Sequence, residues 1–334
     1  MIDRRGFARI TLASLLVTPL ILAACARETV RRIGFLWQGG PPSDAQFQAF
    51  WAEPLRKLGW VEGRNIVFEN RFRGDEDKLS EAAEELVRLK VDVIVAPGSV
   101  PALAAKKATT TIPIVMTADD PVGLGLVASL SRPGGNVTGY AFIGPDVMVK
   151  SAGLVHELLP AAKRVAATWA LPKDGSTTEI TVMLERLRRR MEEAYSSLGM
   201  QLDFIDTDAP GFRIEDAPAE AARRGAQVLE IDDWPQGTPM EPTLQKAIQY
   251  RLATFVQNGN QVKAGGLMSF TVDYEDSFQR FFAIIDKVLR GAKPAETPVE
   301  QPTRFKIAVN VKTAEAIGVT IPQSILLRAD EVIR

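Results

Sequence analysis

Cysteine and histidine occur once each in the 334 residues, at Cys25 and His156. A single cysteine forms no internal disulfide, and one Cys with one His falls short of the four ligands of a structural zinc site. One histidine also excludes the H-E-x-x-H metalloprotease pattern. No G-x-x-x-x-G-K-[ST] phosphate loop and no G-x-S-x-G nucleophile elbow occurs. Gly123 and Gly125 lack the third glycine of a dinucleotide fingerprint. Charge of one sign is not in surplus either: 40 Lys and Arg face 41 Asp and Glu. A nucleic-acid partner would show as a basic excess or stripe, so none is expected. The one dense basic run, Arg186 with Arg188, Arg189 and Arg190, stands among Glu185, Glu192 and Glu193 and reads as a solvated helix face. His156 sits mid-helix in Gly153-Leu-Val-His-Glu-Leu-Leu159, where a partly exposed helix residue is a simpler reading than a catalytic base. No catalytic residue, metal site or cofactor is assigned, and the chain is not expected to be an enzyme.

What is present begins at the N-terminus. Met1–Arg9 is short and positive, and Ile10–Ala24 is apolar, interrupted by Pro19, and ends in small residues. This is the three-part layout of a secretory signal, shorter than the ~20 residues of a membrane-spanning helix. Arg4-Arg5 before Phe7 resembles a twin-arginine signal, with ordinary Sec export equally open. Leu22-Ala-Ala-Cys25 resembles a lipobox, which makes Cys25 the lipidated first residue of the mature chain. The competing reading is a chance cysteine beside a signal cleavage site. The expected organisation is a signal peptide over 1–24 and a lipidated tether over 25–32, with the mature protein on the extracytoplasmic or periplasmic face, anchored to the membrane.

From Arg31 onward, short apolar runs alternate with helical patterns. Strands are expected at Ile33–Trp37, Asn65–Phe72, Val91–Ala96 and Ile112–Met116, with helices at Ala45–Leu58, Lys78–Leu89 and Ala102–Ala108 between them. The rhythm repeats after Tyr140: helices at Asp146–Leu159, Thr178–Leu198, Arg213–Arg224 and Pro242–Arg251 alternate with strands at Arg164–Trp169, Met200–Ile205, Ala226–Ile231 and Leu252–Val256. Such alternation argues for parallel sheets covered on both faces. The remaining strand at Gly265–Phe270, helix at Tyr274–Arg290 and strand at Phe305–Val311 are too few for a third domain and complete sheets already begun. The expected fold is α/β, two doubly wound lobes joined by a multi-strand hinge. One lobe takes 33–139 plus 272–298 and the other takes 140–271 plus 299–334.

In open parallel sheets, ligands bind outside the carboxyl ends of the strands. Those ends carry the candidate ligand-binding residues Trp37, Gln38, Gly98, Ser99, Thr117, Asp119, Trp169, Asp232, Asp233 and Trp234, with Ser269 on the late strand. Gly98-Ser99 opens a helix whose N–H groups suit an anion, and a plain helix cap fits equally. The pairs Asp119-Asp120 and Asp232-Asp233 each follow a strand. They read as general acid and base, as partners for a ligand ammonium or hydroxyl, or as caps and solvated loops. The tryptophans either stack on a ring-bearing ligand or close a lobe core.

Several blocks resemble the substrate-binding proteins of bacterial ABC importers of the tryptophan/tyrosine type. They are Arg32-Ile-Gly-Phe-Leu36, Leu58-Gly-Trp-Val-Glu-Gly-Arg-Asn65, Asp120-Pro-Val-Gly-Leu-Gly-Leu-Val127, Arg132-Pro-Gly-Gly-Asn-Val-Thr-Gly139, Gly265-Gly-Leu-Met-Ser269 and Pro298-Val-Glu-Gln-Pro-Thr303. The resemblance implies a type I periplasmic-binding-protein fold and delivery of a small molecule to a membrane permease. It further implies that Ser99 and Thr117 hold a ligand carboxylate and that Asp232 or Asp233 holds an ammonium. The stretch Trp169-Ala-Leu-Pro172 departs from the family pattern. On this reading the protein is a monomeric, exported solute-binding lipoprotein that captures a small amino-acid-like or aromatic carboxylate ligand between its lobes. The alternatives are a receptor reporting to a membrane signalling protein and an exported hydrolase.

Overall fold

The structure is a computed structural model and describes residues 29–74, 76–142, 145–169, 178–231 and 239–334. Cys25 and the segment before it lie outside the described residues, as do Asp232, Asp233 and Trp234.

Two sheets organise the chain. The first has five parallel strands in the order β2-β1-β3-β4-β5: β1 Arg31–Gln38, β2 Ile66–Arg73, β3 Val93–Pro97, β4 Ile114–Ala118 and β5 Val137–Ala141. The second contains β6 Arg164–Trp169, β7 Gln201–Asp206, β8 Val228–Glu230, β9 Ala253–Val256 and β10 Met268–Val272, extended by β11 Phe305–Asn310 and β12 Glu331–Ile333. Strands β7-β6-β8-β9-β10 repeat the order of the first sheet, and β11 then joins β10 antiparallel, with Met268 opposite Val309. Central strands read as unbroken apolar runs because helices cover both faces. The fold is thus α/β with two parallel-sheet lobes.

The covering helices are α1 Asp44–Phe47, α2 Glu53–Lys57, α3 Glu76–Arg88, α4 Ser99–Ala108, α5 Pro145–Leu158, α6 Thr178–Ser197, α7 Ala217–Arg223, α8 Glu241–Gln249, α9 Gly259–Lys263, α10 Tyr274–Leu289, α11 Val311–Ile317 and α12 Gln323–Arg328. Where one helix is expected over Ala45–Leu58, a π-helical turn, Gln48–Ala52, separates α1 from α2. Pro54 lies in the first turn of α2; its missing N–H and its ring interrupt the regular ladder just upstream. Helix α4 begins three residues before the expected Ala102, since Pro101 is well suited to a first turn. Strand β10 starts at Met268 rather than Gly265. Gly265 takes φ +119, and a Cβ on Gly266 would crowd Val256 and the Gln261 carbonyl, so both glycines belong to the preceding turn. The expected helix over Arg213–Arg224 divides into a 3-10 turn, Ile214–Asp216, and α7, with Pro218 at the junction.

The chain passes between the sheets after β5, after β10 and before β11. Helix α10 follows β10 of the second sheet but packs on the first, its Phe281, Phe282, Ile284 and Ile285 joining Phe35, Trp51 and Tyr140 in one core. On the return path Glu300 pairs with the end of β5: its N–H donates to the Gly139 carbonyl and its carbonyl accepts from Ala141 N–H, at 3.0 and 2.9 Å. Gly139 has φ +147, and a Cβ there would overlap the Met116 carbonyl oxygen, so β4 and β5 approach as closely as they do only because position 139 has no side chain. Helix α6 reaches the other way. Its Ile180, Met183 and Leu187 join the core of the five-stranded lobe, beside Leu103, Leu124 and Leu126. No helix among the described residues is long and apolar enough to cross a membrane.

Candidate functional site

Strand direction places a cavity of about 540 Å³ where the carboxyl ends of both sheets converge. The five-stranded lobe contributes Asp119 after β4, Phe142 after β5, and Tyr274 and Phe278 from α10. The other lobe contributes the ends of β6, β8, β9 and β10, including Trp169, Glu230, Gln257 and Phe270, backed by Leu187, Met191 and Tyr195 of α6. Most of this wall is apolar, and much of it is aromatic. Phe142 lies 6.0 Å from Tyr274 and 5.7 Å from Phe278, centroid to centroid. Trp169 meets Phe204 edge-on at 5.3 Å, and its buried indole N–H has no acceptor among the described residues.

Glu230, the last residue of β8, is the charged group set deepest in this wall, with 3% of its surface exposed. The Tyr195 hydroxyl donates to its Oε1 at 2.5 Å and the Ser151 hydroxyl to the same oxygen at 3.4 Å. Both donors come from helices flanking the strand, α6 and α5. A buried carboxylate needs such partners to remain tolerable. Glu230 leaves little trace in the sequence. Its signal was one acidic residue closing an otherwise apolar strand, Val228-Leu-Glu-Ile231.

The residues anticipated from the sequence separate into groups. Asp119 and Trp169 line the cavity, from opposite lobes. Ser99 and Thr117 do not line it; they fasten the strand ends. The Ser99 hydroxyl accepts from Asp119 N–H at 3.2 Å, and the Thr117 hydroxyl accepts from Gly98 N–H at 2.9 Å. Gly98, at φ +109, is the N-cap of α4, and that N–H is occupied by Thr117. Trp37 lies within the aromatic core instead of a ligand wall: it stacks on Phe35 at 6.1 Å and meets Trp51 at 6.0 Å. Gln38 is exposed at the end of β1, and Ser269 is buried inside β10 opposite Ala308 of β11. Alternation along a strand accounts for both, because neighbouring residues face opposite sides of the sheet.

Asp120 has a structural task. At φ +44, its Oδ1 accepts from Gly123 N–H at 3.0 Å and its Oδ2 meets Arg186 Nη1 at 3.1 Å. Arg186 therefore leaves the solvated face expected for the basic run and bridges the two lobes. Gly123 makes room for the bridge, since a Cβ there would overlap both partners. Lys107 and Glu179 form a second contact between α4 and α6, at 3.3 Å. Burial pushes the Lys106 amine below its ordinary range, and its ammonium donates to the Gly125 and Leu126 carbonyls, closing the loop that carries Asp120. No cluster of potential metal ligands occurs among the described residues.

The family model for ABC transporter substrate binding proteins matches residues 40–192 and 232–333. A tyrosine-binding protein of Clostridioides difficile is 24% identical over 293 residues, covering 83% of this chain and 77% of its own length. Among solved structures, the ABC domain in complex with L-Trp from Streptococcus pneumonia superposes with a TM-score of 0.70 at 24% identity, covering 91% of this chain and all of the other. A conserved domain protein from Vibrio cholerae gives 0.72, also at 24% identity and with the same two coverages. The two structural likenesses speak to the fold, which is that of the type I periplasmic binding proteins.

Proposed function

Because the chain belongs to the ABC transporter substrate-binding protein family, we propose that it is an exported solute receptor that captures an aromatic or amino-acid-like molecule between its lobes and delivers it to an ABC permease. The observation that carries this reading is the 540 Å³ cavity, walled by aromatic rings from both lobes and set at the carboxyl ends of both sheets. Its volume falls within the range of small-molecule sites, ~300–1,000 Å³. Relatives support the ligand class: one is a tyrosine-binding protein and another holds L-Trp. Capture works by differential affinity. A solute touching both walls stabilises the closed arrangement over the open one, and the closed form is what a permease recognises.

Export and anchoring complete the reading. The positive start, the apolar run and Leu22-Ala-Ala-Cys25 direct the chain across the membrane and tether it through lipid on Cys25. Membrane fractionation tests the tether: Cys25→Ser is expected to release the protein into the soluble extracytoplasmic fraction, and an unchanged distribution would remove the lipid anchor from the reading. Native mass spectrometry after incubation with a small-molecule cell extract tests capture. A retained adduct below about 500 Da is expected, together with a smaller radius of gyration by X-ray scattering, ~500 Da being drug-sized and fitting such a cavity. A protein that retains nothing from the extract and keeps one radius is not a solute receptor.

A further inference from the structure

We propose, resting on the receptor reading, that Trp169 selects the solute by donating its indole N–H to an accepting oxygen or unprotonated ring nitrogen on an otherwise apolar, flat body. Of the buried side-chain polar atoms that lack a partner among the described residues, Trp169 Nε1 is the one carried by a cavity-lining residue. An indole nitrogen only donates, so the missing partner has to be an acceptor. A buried donor left unpaired is costly, and a buried tryptophan N–H usually has a partner. Phenylalanine would line the same wall without that cost. The unpaired N–H is accounted for when a bound solute supplies the acceptor.

Groups that do not line the cavity hold the indole in place. Trp169 ends β6 in register with Asp206 of β7, and its carbonyl accepts from Thr207 N–H at 3.1 Å. Phe204 meets the ring edge-on at 5.3 Å, and the Arg188 guanidinium lies over the Phe204 ring at 4.7 Å. The indole also packs against the cores of both lobes, so it stands at their junction. A donor fixed in this way is oriented before a solute arrives, and an analogue without an acceptor leaves it unpaired. The stretch Trp169-Ala-Leu-Pro172 is also where the sequence departs from the family pattern, which makes this contact a feature of the chain's own selectivity.

Native mass spectrometry over a dilution series of the small-molecule cell extract tests this, read as the dilution at which half the protein carries the adduct. The parent is compared with Trp169→Phe and with Trp169→benzothienylalanine, which keeps the shape of the indole but has sulfur in place of the N–H. Both variants are expected to need extract at least about fivefold more concentrated, the scale of one hydrogen bond lost at a buried site. Should Trp169→Phe fail to fold, as judged by circular dichroism and melting, the benzothienyl variant is read alone, because it preserves the packing. In isotope-labelled parent protein, the Trp169 indole cross-peak is assigned by its absence from the benzothienyl variant. On loading with extract it is expected to move downfield in both proton and nitrogen, as a newly formed N–H hydrogen bond requires. Equal half-saturation for the parent and the benzothienyl variant would overturn the proposal, and so would an indole peak that does not move downfield. A parent that retains nothing removes the receptor reading and this inference with it. A parent that retains a solute no more firmly than the benzothienyl variant remains a receptor, but one that does not read its solute through Trp169 N–H.

Discussion

Arg186 of α6 reaches across the molecule to Asp120 on the loop after β4, with Nη1 and Oδ2 3.1 Å apart, and so ties the two lobes together beside the cavity mouth. The same helix inserts Ile180, Met183 and Leu187 into the core of the opposite lobe. The contact between the lobes therefore has an apolar component and a polar one, and only the polar one is screened by salt.

Arg186→Ala isolates the polar component. Arg186 is partly exposed, which limits the pair to about 0–1 kcal/mol. Scattering at low ionic strength is expected to show a larger mean radius of gyration than the parent protein, and ~0.5 M salt should bring the two together. Equal radii at both ionic strengths would show that the pair does not bias the lobes.

Gly139→Ala probes the close approach of β4 and β5. A methyl group there overlaps the Met116 carbonyl, and φ +147 is unfavourable for any L side chain. The expected loss exceeds about 3 kcal/mol, among the large effects for a single substitution. That corresponds to a fall in Tm of roughly 4 °C or more. A fall below about 2 °C would mean that the strands separate more easily than their packing indicates.

Asp273→Ala removes a group with two tasks. Its carboxylate caps α10 by accepting from Glu275 and Asp276 N–H groups at 3.1 and 3.3 Å, and it meets Lys306 of β11 at 3.1 Å. Loss of a cap costs about 1 kcal/mol, or roughly 1–2 °C in Tm for a protein of this size. Asp273→Asn keeps an acceptor at the cap and should recover most of that loss. If Asn is as damaging as Ala, the Lys306 contact rather than the cap carries the stability.

Acid stability should depend on Glu220. Hydrogen bonds from Arg223 and then Arg224 lower its carboxyl to about 2, against 4.5 for the ordinary group. A depressed folded-state value stabilises the fold above about pH 4.5, and this contribution is lost as pH falls toward 2. In urea titrations, Glu220→Gln should be less stable than the parent at pH 7 and nearly equal to it at pH 2. An unchanged difference across that range would mean that Glu220 does not titrate with folding.

Much of the α/β architecture was legible because buried parallel strands announce themselves as apolar runs, such as Val91–Ala96 and Ile112–Met116. Boundaries were less so. The π turn before Pro54 and the early start of α4 at Ser99 depend on which backbone N–H groups find partners, which hydrophobic periodicity does not report. At the site, position after a strand leads to the cavity for Asp119 and Trp169 and to the aromatic core for Trp37. Adjacent aspartates drew attention by their pairing, yet Asp120 spends its charge on Arg186. Glu230 went unnoticed because its partners, Tyr195 and Ser151, lie 35 and 79 residues away in sequence. Only tertiary structure brings these three together.

Helix α10 also sets the order in which the protein can be completed. The sheet it covers is encoded by residues up to Ala141, but the face bearing Phe35, Trp51 and Tyr140 stays bare until Tyr274–Leu289 has been delivered. A chain emerging from its N-terminus therefore presents sticky aromatic surface for most of its synthesis and cannot finish its first lobe early. The two lobes are therefore not successive folding units: the first core is closed by chain that follows β10 of the second, so the two cores mature together.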